Sequence, residues 1–239
     1  MELKEAIRMR KSIRKYTDQQ VSSELLNDIL SYAKQVKPLY PNILVDFQII
    51  TKKDVKCILP FVTNHTIVLY SEEKEGYLEN AGFILQQVEL YLHTLGLGAC
   101  WLGMGKPTDT LKDYNKLKNV IMLTFGYPDG ELTRNIDEFK RFSLEEISDK
   151  PNQKLEPARL APSSVNSQPW YFKHVDEYIH VFLLQRGFVT VKKLERMNHI
   201  DIGIALAHLY VENPNTFIFD KIYNVETVKN AKYIGSIKL

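Results

Sequence analysis

The hydrophobic segments between residues 43 and 95 recur in the same order between residues 171 and 211. Ile43–Ile50 and Thr66–Tyr70 read as two strands, rich in β-branched and apolar residues. The long amphipathic stretch 77–95 follows them. Later, Tyr171–Val175 and the strand ending at Leu184 precede a second amphipathic stretch, 195–211. Asn80-Ala81-Gly82 and Asp201-Ile202-Gly203 fall at the same place, early in each helix. Between the two runs lies a polar, proline-bearing stretch, Ile147–Pro157, the best candidate boundary. The order therefore points to an internal duplication, with halves at 1–150 and 151–239 packed as a pseudo-dimer within one chain. Any two halves that alternate helix and strand would share some of this order.

Other elements complete the reading. Residues 2–10 form a short helix, and residues 22–36 form another, capped by Ser22 or Ser23 and ended by Pro38 and Pro41. In the repeat, the second of these helices matches Lys154–Leu160. Gly96 and Gly98 stop the helix at 77–95. Val120–Phe125 is a buried strand, Phe217–Phe219 a further one, and Val225–Leu239 is ambiguous.

Composition narrows the function classes. The chain has 31 Lys and Arg against 29 Asp and Glu, a net charge of +2. That excess is too small for a nucleic-acid binder but leaves room for one local phosphate site. Cys57 and Cys100 are too few for a disulfide framework and read as buried free thiols. With no secretory h-region and no apolar run of membrane-spanning length, the expectation is a cytoplasmic protein with no membrane partner.

Four segments carry groups suited to a ligand. The first, Arg8–Tyr16, holds five cations and a hydroxyl; Arg10, Ser12 and Arg14 would project to one side of an extended chain. Guanidinium forks and a short hydroxyl suit phosphate oxygens, although such runs are more often solvated helix ends. The second, Ala158–Trp170, packs Ser163, Ser164, Asn166, Ser167 and Gln168 between Pro162 and Pro169. Its amides and hydroxyls both donate and accept, and its prolines stiffen it; an ordinary surface turn has the same composition. The third, Leu95–Gly105, has four glycines that would admit a flat ligand close to the backbone, or simply make a helix stop and a turn. The fourth, Phe139–Ile147, brings Arg141. No histidine has a partner pattern that suggests a metal or catalytic role.

Together these segments resemble the nitroreductase family. RKSIRKY at 10–16 is similar to its R-R-S-x-R-x-F/Y segment, and ARLAPSSVNSQPW at 158–170 matches its A-R-x-A-P-S-x-x-N-x-Q-P-W segment almost position for position. GLGACWLG at 96–103, GYP at 126–128 and KRFSLEE at 140–146 are supporting matches. The order departs from the family in one respect. The A-P-S-x-x-N segment normally follows the first two helices, whereas here it comes after residue 155. Family members are usually homodimers with FMN at the interface, so a fused, diverged duplicate would keep each part once, one per half. The resemblance thus implies an α+β fold with a mainly antiparallel sheet flanked by helices, and one FMN per chain. It places the phosphate and ribityl chain near Arg10, Lys11, Ser12, Arg14 and Arg141. Pro162, Ser163, Ser164, Asn166 and Gln168 would lie across the interface, and the main chain of Trp101, Leu102, Gly103 and Met104 would cover the flavin N5 side. It also implies NAD(P)H as donor, a nitroaromatic, quinone or related small molecule as acceptor, no catalytic side chain, no metal, and a monomer whose interface is internal. A flavin-binding or flavin-storage protein without turnover, and a cofactor-free relic, are the alternatives.

Overall fold

The computed structural model describes residues 1–184, 192–222 and 224–239. The chain begins with α1 (Leu3–Met9) and α2 (Ser23–Gln35), then runs through β1 (Val45–Ile50), β2 (Val55–Lys56), β3 (Thr66–Ser71) and α3 (Tyr77–Thr94). Next come β4 (Gly98–Trp101), β5 (Lys106–Pro107), β6 (Asp113–Tyr114), β7 (Leu117–Gly126), α4 (Leu144–Ile147) and α5 (Glu156–Arg159). The chain ends with β8 (Trp170–Val175), β9 (Tyr178–Leu184), α6 (Lys192–Glu212), β10 (Ile218–Asp220) and β11 (Ala231–Lys238). No helix among the described residues is long and apolar enough to cross a membrane.

Two antiparallel sheets share one connection pattern. The first runs β1-β3-β7-β4, with β6 added beside β7; the second runs β8-β9-β11-β10. In each, a strand hairpin leads into the long helix, a short edge strand follows, and the last strand returns to the centre. The difference lies before the hairpins. The first half has the thirteen-residue α2, capped by Ser22, whose Oγ accepts from the Leu25 N–H at 3.2 Å. The second half has only a turn at 153–155 and the four-residue α5.

The helices α3 and α6 form the centre. Glu79 to Leu90 of α3 is buried without a break, so this helix has no solvent face. It packs on the first sheet, α6 packs on the second, and the two helices pack on each other. Two glycines allow that approach. A Cβ at Gly82 would lie 2.0 Å from the Ile200 carbonyl oxygen, and one at Gly203 would lie 2.0 Å from the Glu79 carbonyl oxygen. Each glycine stands three residues after the carbonyl that its counterpart meets, so the contact is reciprocal, as at a two-fold interface. The next polar position repeats the symmetry. Asn80 Oδ1 accepts from Leu39 N–H and Tyr40 N–H at 2.9 Å each, and Asp201 accepts from Ser164 N–H with both oxygens at 3.1 Å.

Several sequence expectations need correction. Gly96, with φ of 78°, ends α3, but Gly98 opens strand β4. The glycine-rich stretch is thus largely a strand and a turn rather than a loop. The candidate boundary at 147–157 is packed against the rest of the chain. Ile147 and Leu155 are fully buried, and Ser148 bridges to Phe172. Cys57 is only half-buried, whereas Cys100 is buried as expected. The ambiguous C-terminal stretch supplies β11, a central strand of the second sheet.

Candidate functional site

Residues 10–16 leave α1 in an extended path beside β4. The Ile13 N–H donates to the Ala99 carbonyl at 2.9 Å, and Ser12 bridges to Ala99 in parallel register. Gly98 is required there, because a Cβ would sit 2.5 Å from the Ile13 side chain. Strand alternation then sends Ile13 into the core and turns Ser12 and Arg14 to the other side.

That side is a cavity of about 450 Å³, within the usual range for small-molecule sites. Ser12, Arg14, Trp101, Gly103, Met104, Pro162, Ser163 and Ser164 line it, so residues far apart in the sequence meet around one space. Its apolar wall comes from elsewhere, notably Phe61, Cys100, Ile121, Met197, Ile200 and Ile204. Arg14 also faces the Phe61 ring, 5.8 Å from its centroid.

The remaining expected residues stand outside the lining. Arg10 is 2% exposed; its Nη2 lies 2.8 Å from Glu89 Oε1 and donates to Ser12 Oγ at 3.2 Å. Lys11 is half-buried, 3.9 Å from Glu131. Leu102 is fully buried, and its N–H donates to the Met122 carbonyl, so neither its side chain nor its amide faces the cavity. Arg141 donates to Asn166 Oδ1 at 2.7 Å and to the Ala161 carbonyl at 2.9 Å. Gln168 is buried, its Oε1 accepting from Phe142 N–H at 2.8 Å. Asn166 and Gln168 thus tie the loop to residues 140–142. They shape it rather than open onto the space it borders.

Behind Ser12 lies a cationic cluster. Arg134 Nε donates to the Arg10 carbonyl at 3.1 Å, and the Arg134 guanidinium sits 3.5 Å from the Phe139 ring centroid, with Arg141 5.7 Å from the same ring. Burial pushes Arg141 down to about 9, and Arg134, Arg10 and Arg159 push the same way. Arg134 falls to about 10, again through burial and then Arg10. Arg10 Nε and Trp101 Nε1 are buried without a hydrogen-bond partner. Crowded guanidiniums of this kind, with Glu89 as the close anion at Arg10, are suited to receive a further anion.

Glu89 belongs to a buried polar chain. Its Oε2 accepts from Gln86 Nε2 at 2.5 Å, which also meets His208 Nε2 at 3.1 Å, and His208 Nδ1 lies 2.8 Å from the Pro157 carbonyl. Burial drives His208 down to about 3, so it is a neutral structural group. None of the six histidines lines this cavity.

Sequence reasoning missed Arg134 and Phe61, and used Asp201 only to align the repeat. Arg134 sits outside any motif, and Phe61 lies in an irregular stretch between β2 and β3, with no periodic signal to mark either.

Comparison with known proteins defines the class first. The fold is similar to that of a crystal structure titled a "putative nitroreductase" from Thermotoga maritima. Its TM-score is 0.65 at 21% identity, over 99% of this chain and 92% of that one. A Desulfovibrio desulfuricans structure titled a "putative nitroreductase in complex with fmn" is similar over 63% of this chain and 96% of that one, with 23% identity and a TM-score of 0.48. A protein of Methanothermobacter thermautotrophicus named "Putative NADH dehydrogenase/NAD(P)H nitroreductase" is 26% identical over 167 residues, 61% of this chain and 87% of that protein. The family model described as "Putative TM nitroreductase" matches residues 2–213. The chain belongs to this nitroreductase family and is an oxidoreductase with its α+β fold.

Proposed function

We propose that this chain binds one FMN in the cavity between its halves and uses it to pass electrons from NAD(P)H to a quinone, nitroaromatic or related small molecule. The observation that carries the reading is the meeting of Ser12 and Arg14 with Pro162, Ser163 and Ser164 around a single space. The donor set fits the cofactor. The guanidiniums of Arg10, Arg134 and Arg141 gather behind Ser12, and the unpartnered Arg10 Nε adds a donor to that cluster.

Ser12 and Arg14, backed by Arg10 and Arg141, hold the phosphate end; Lys11 adds charge from outside. Ser163 and Ser164 offer hydroxyls to the ribityl chain or ring edge. Asn166 fixes Arg141, and Gln168 fixes the loop. The turn from Trp101 to Met104 covers one edge of the ring. When bound, FMN supplies the hydride chemistry, and the chain supplies position, charge and exclusion of water.

The shared sheet order, the reciprocal Gly82 and Gly203 contacts and the Asn80/Asp201 pair support reading residues 1–150 and 151–239 as diverged copies. On this reading the working unit is a monomer with an internal interface, and its compartment is the cytoplasm. Protein reconstituted with FMN should lose flavin absorbance on addition of NADH or NADPH and recover it with a quinone. Flavin that binds but is never reduced would leave a storage protein; absence of binding would remove the cofactor.

A further inference from the structure

Asp201 does a structural task that its counterpart performs without a charge. Asn80 on α3 holds Leu39 and Tyr40 by their N–H groups; Asp201 on α6 holds Ser164 by its N–H and lies 3.5 Å from Ser167 Oγ. An amide oxygen suffices for such a contact. Yet α6 carries a carboxyl group that is 3% exposed, has no cationic partner among the described residues, and lines the cavity. A buried carboxyl without a counter-charge is costly when ionised and is kept as the neutral acid.

We infer that Asp201 is a catalytic acid that gives a proton to the electron acceptor bound in this cavity. The inference rests on the FMN reading above. A quinone-class acceptor that has received a hydride at the site still lacks one proton. The Asp201 O–H bond breaks, an O–H bond forms on the acceptor oxygen, and the bonding pair stays on the carboxylate. Solvent water then reprotonates Asp201 through the cavity mouth, where Met104 and Val165 are exposed.

The surroundings suit this role. The loop at 162–167 presents hydroxyls and an amide to Asp201, and α6 adds Asn198, which shares the Ser167 hydroxyl. Among the described residues, Arg14 and Cys100 are the other ionisable groups on the cavity wall, from the amino-terminal segment and β4. On α3, Glu79 is occupied with His199. Burial pushes Asp201 up to about 8 against the opposing hydrogen bonds from Ser164 and Ser167. Burial also pushes the Cys100 thiol up, away from neutral pH.

Asp201→Asn tests this, since it copies the residue used on α3. Three measurements are compared with the wild type: FMN affinity by fluorescence quenching, reduction of bound FMN by NADH, and reoxidation by benzoquinone across pH 5–10, a range chosen to bracket the titration. The variant should bind FMN and accept electrons from NADH as the wild type does. Its reoxidation should be about 100-fold slower at neutral pH and flat with pH, whereas the wild-type rate falls as Asp201 ionises. Infrared titration of each protein should show a protonated carboxyl in the wild type near neutral pH that the variant lacks. Unchanged reoxidation with an unchanged pH profile, or an Asp201 already ionised at pH 6, would overturn the assignment while FMN binding stood. If the wild type binds no FMN, both readings fail together.

Discussion

On α3, the residue one turn beyond Asn80 is Phe83, and it packs against Tyr210 and Phe217 with ring centroids 5.4 and 5.9 Å away. On α6, the residue one turn beyond Asp201 is Ile204, and it lines the cavity. Nearby on the first side, Tyr40 and Phe219 meet edge to face at 5.3 Å. The two halves thus present matching positions to opposite outcomes. Where α3 faces outward from the crossing, aromatic rings fill the space and a neutral amide holds the loop. Where α6 does so, smaller side chains leave a cavity and a carboxyl group looks into it. The comparison teaches that a shared arrangement of elements need not repeat a site: Phe83 packs among rings where Ile204 borders open space.

The largest expected effect concerns that filling. Phe83→Ala should cost about 4 kcal/mol in urea unfolding, because it removes a fully packed ring. Ile204→Ala, beside an existing cavity, should cost about 2 kcal/mol. Equal costs would break the contrast between a filled side and an open one.

Next in size is a pH effect at the paired polar positions. The folded state raises Asp201 from 3.8 to about 8. The folded protein then binds a proton that the unfolded chain releases, so this contribution is complete below about pH 4 and is lost as pH rises towards 8. The stability of the wild type relative to Asp201→Asn should fall steadily as pH rises between those limits. A difference that stays constant, or grows with pH, would mean that Asp201 is ionised in the fold.

Smaller again is the effect on ligand binding. Arg14→Ala should weaken FMN binding by about 1.5–3 kcal/mol, the range for a hydrogen bond to a charged group. Fluorescence titration reads this directly, and unchanged affinity would remove Arg14 from the site.

The order of elements and part of the candidate site were legible in the sequence, for identifiable reasons. Element order is readable because each strand and helix must bury its apolar face, and so the order over 43–95 could be set against that over 171–211. Asn80-Ala81-Gly82 and Asp201-Ile202-Gly203 stood out because backbone approach at the crossing tolerates only glycine. Ser12, Arg14, Ser163 and Ser164 were readable because they belong to motifs with fixed spacing. What could not be read was direction. Asn166 and Gln168 carry the same polar chemistry as Ser163, but their own positive φ values, 57° and 46°, and that of Val165, 47°, turn the loop so that both reach back to residues 140–142. Leu102 sits within a matched motif, yet its N–H is spent on Met122. Arg134 joins the guanidinium cluster through tertiary packing on Phe139, which no local pattern announces.

The stoichiometry of flavin to polypeptide tests the central claim most directly. Purified protein saturated with FMN, filtered free of excess and measured by visible absorbance against chain concentration, should hold one flavin per chain, in the space shared by Arg14 and Ser164. Two per chain would mean that the aromatic-filled side is also a site, and none would mean that the cavity between the halves serves another ligand.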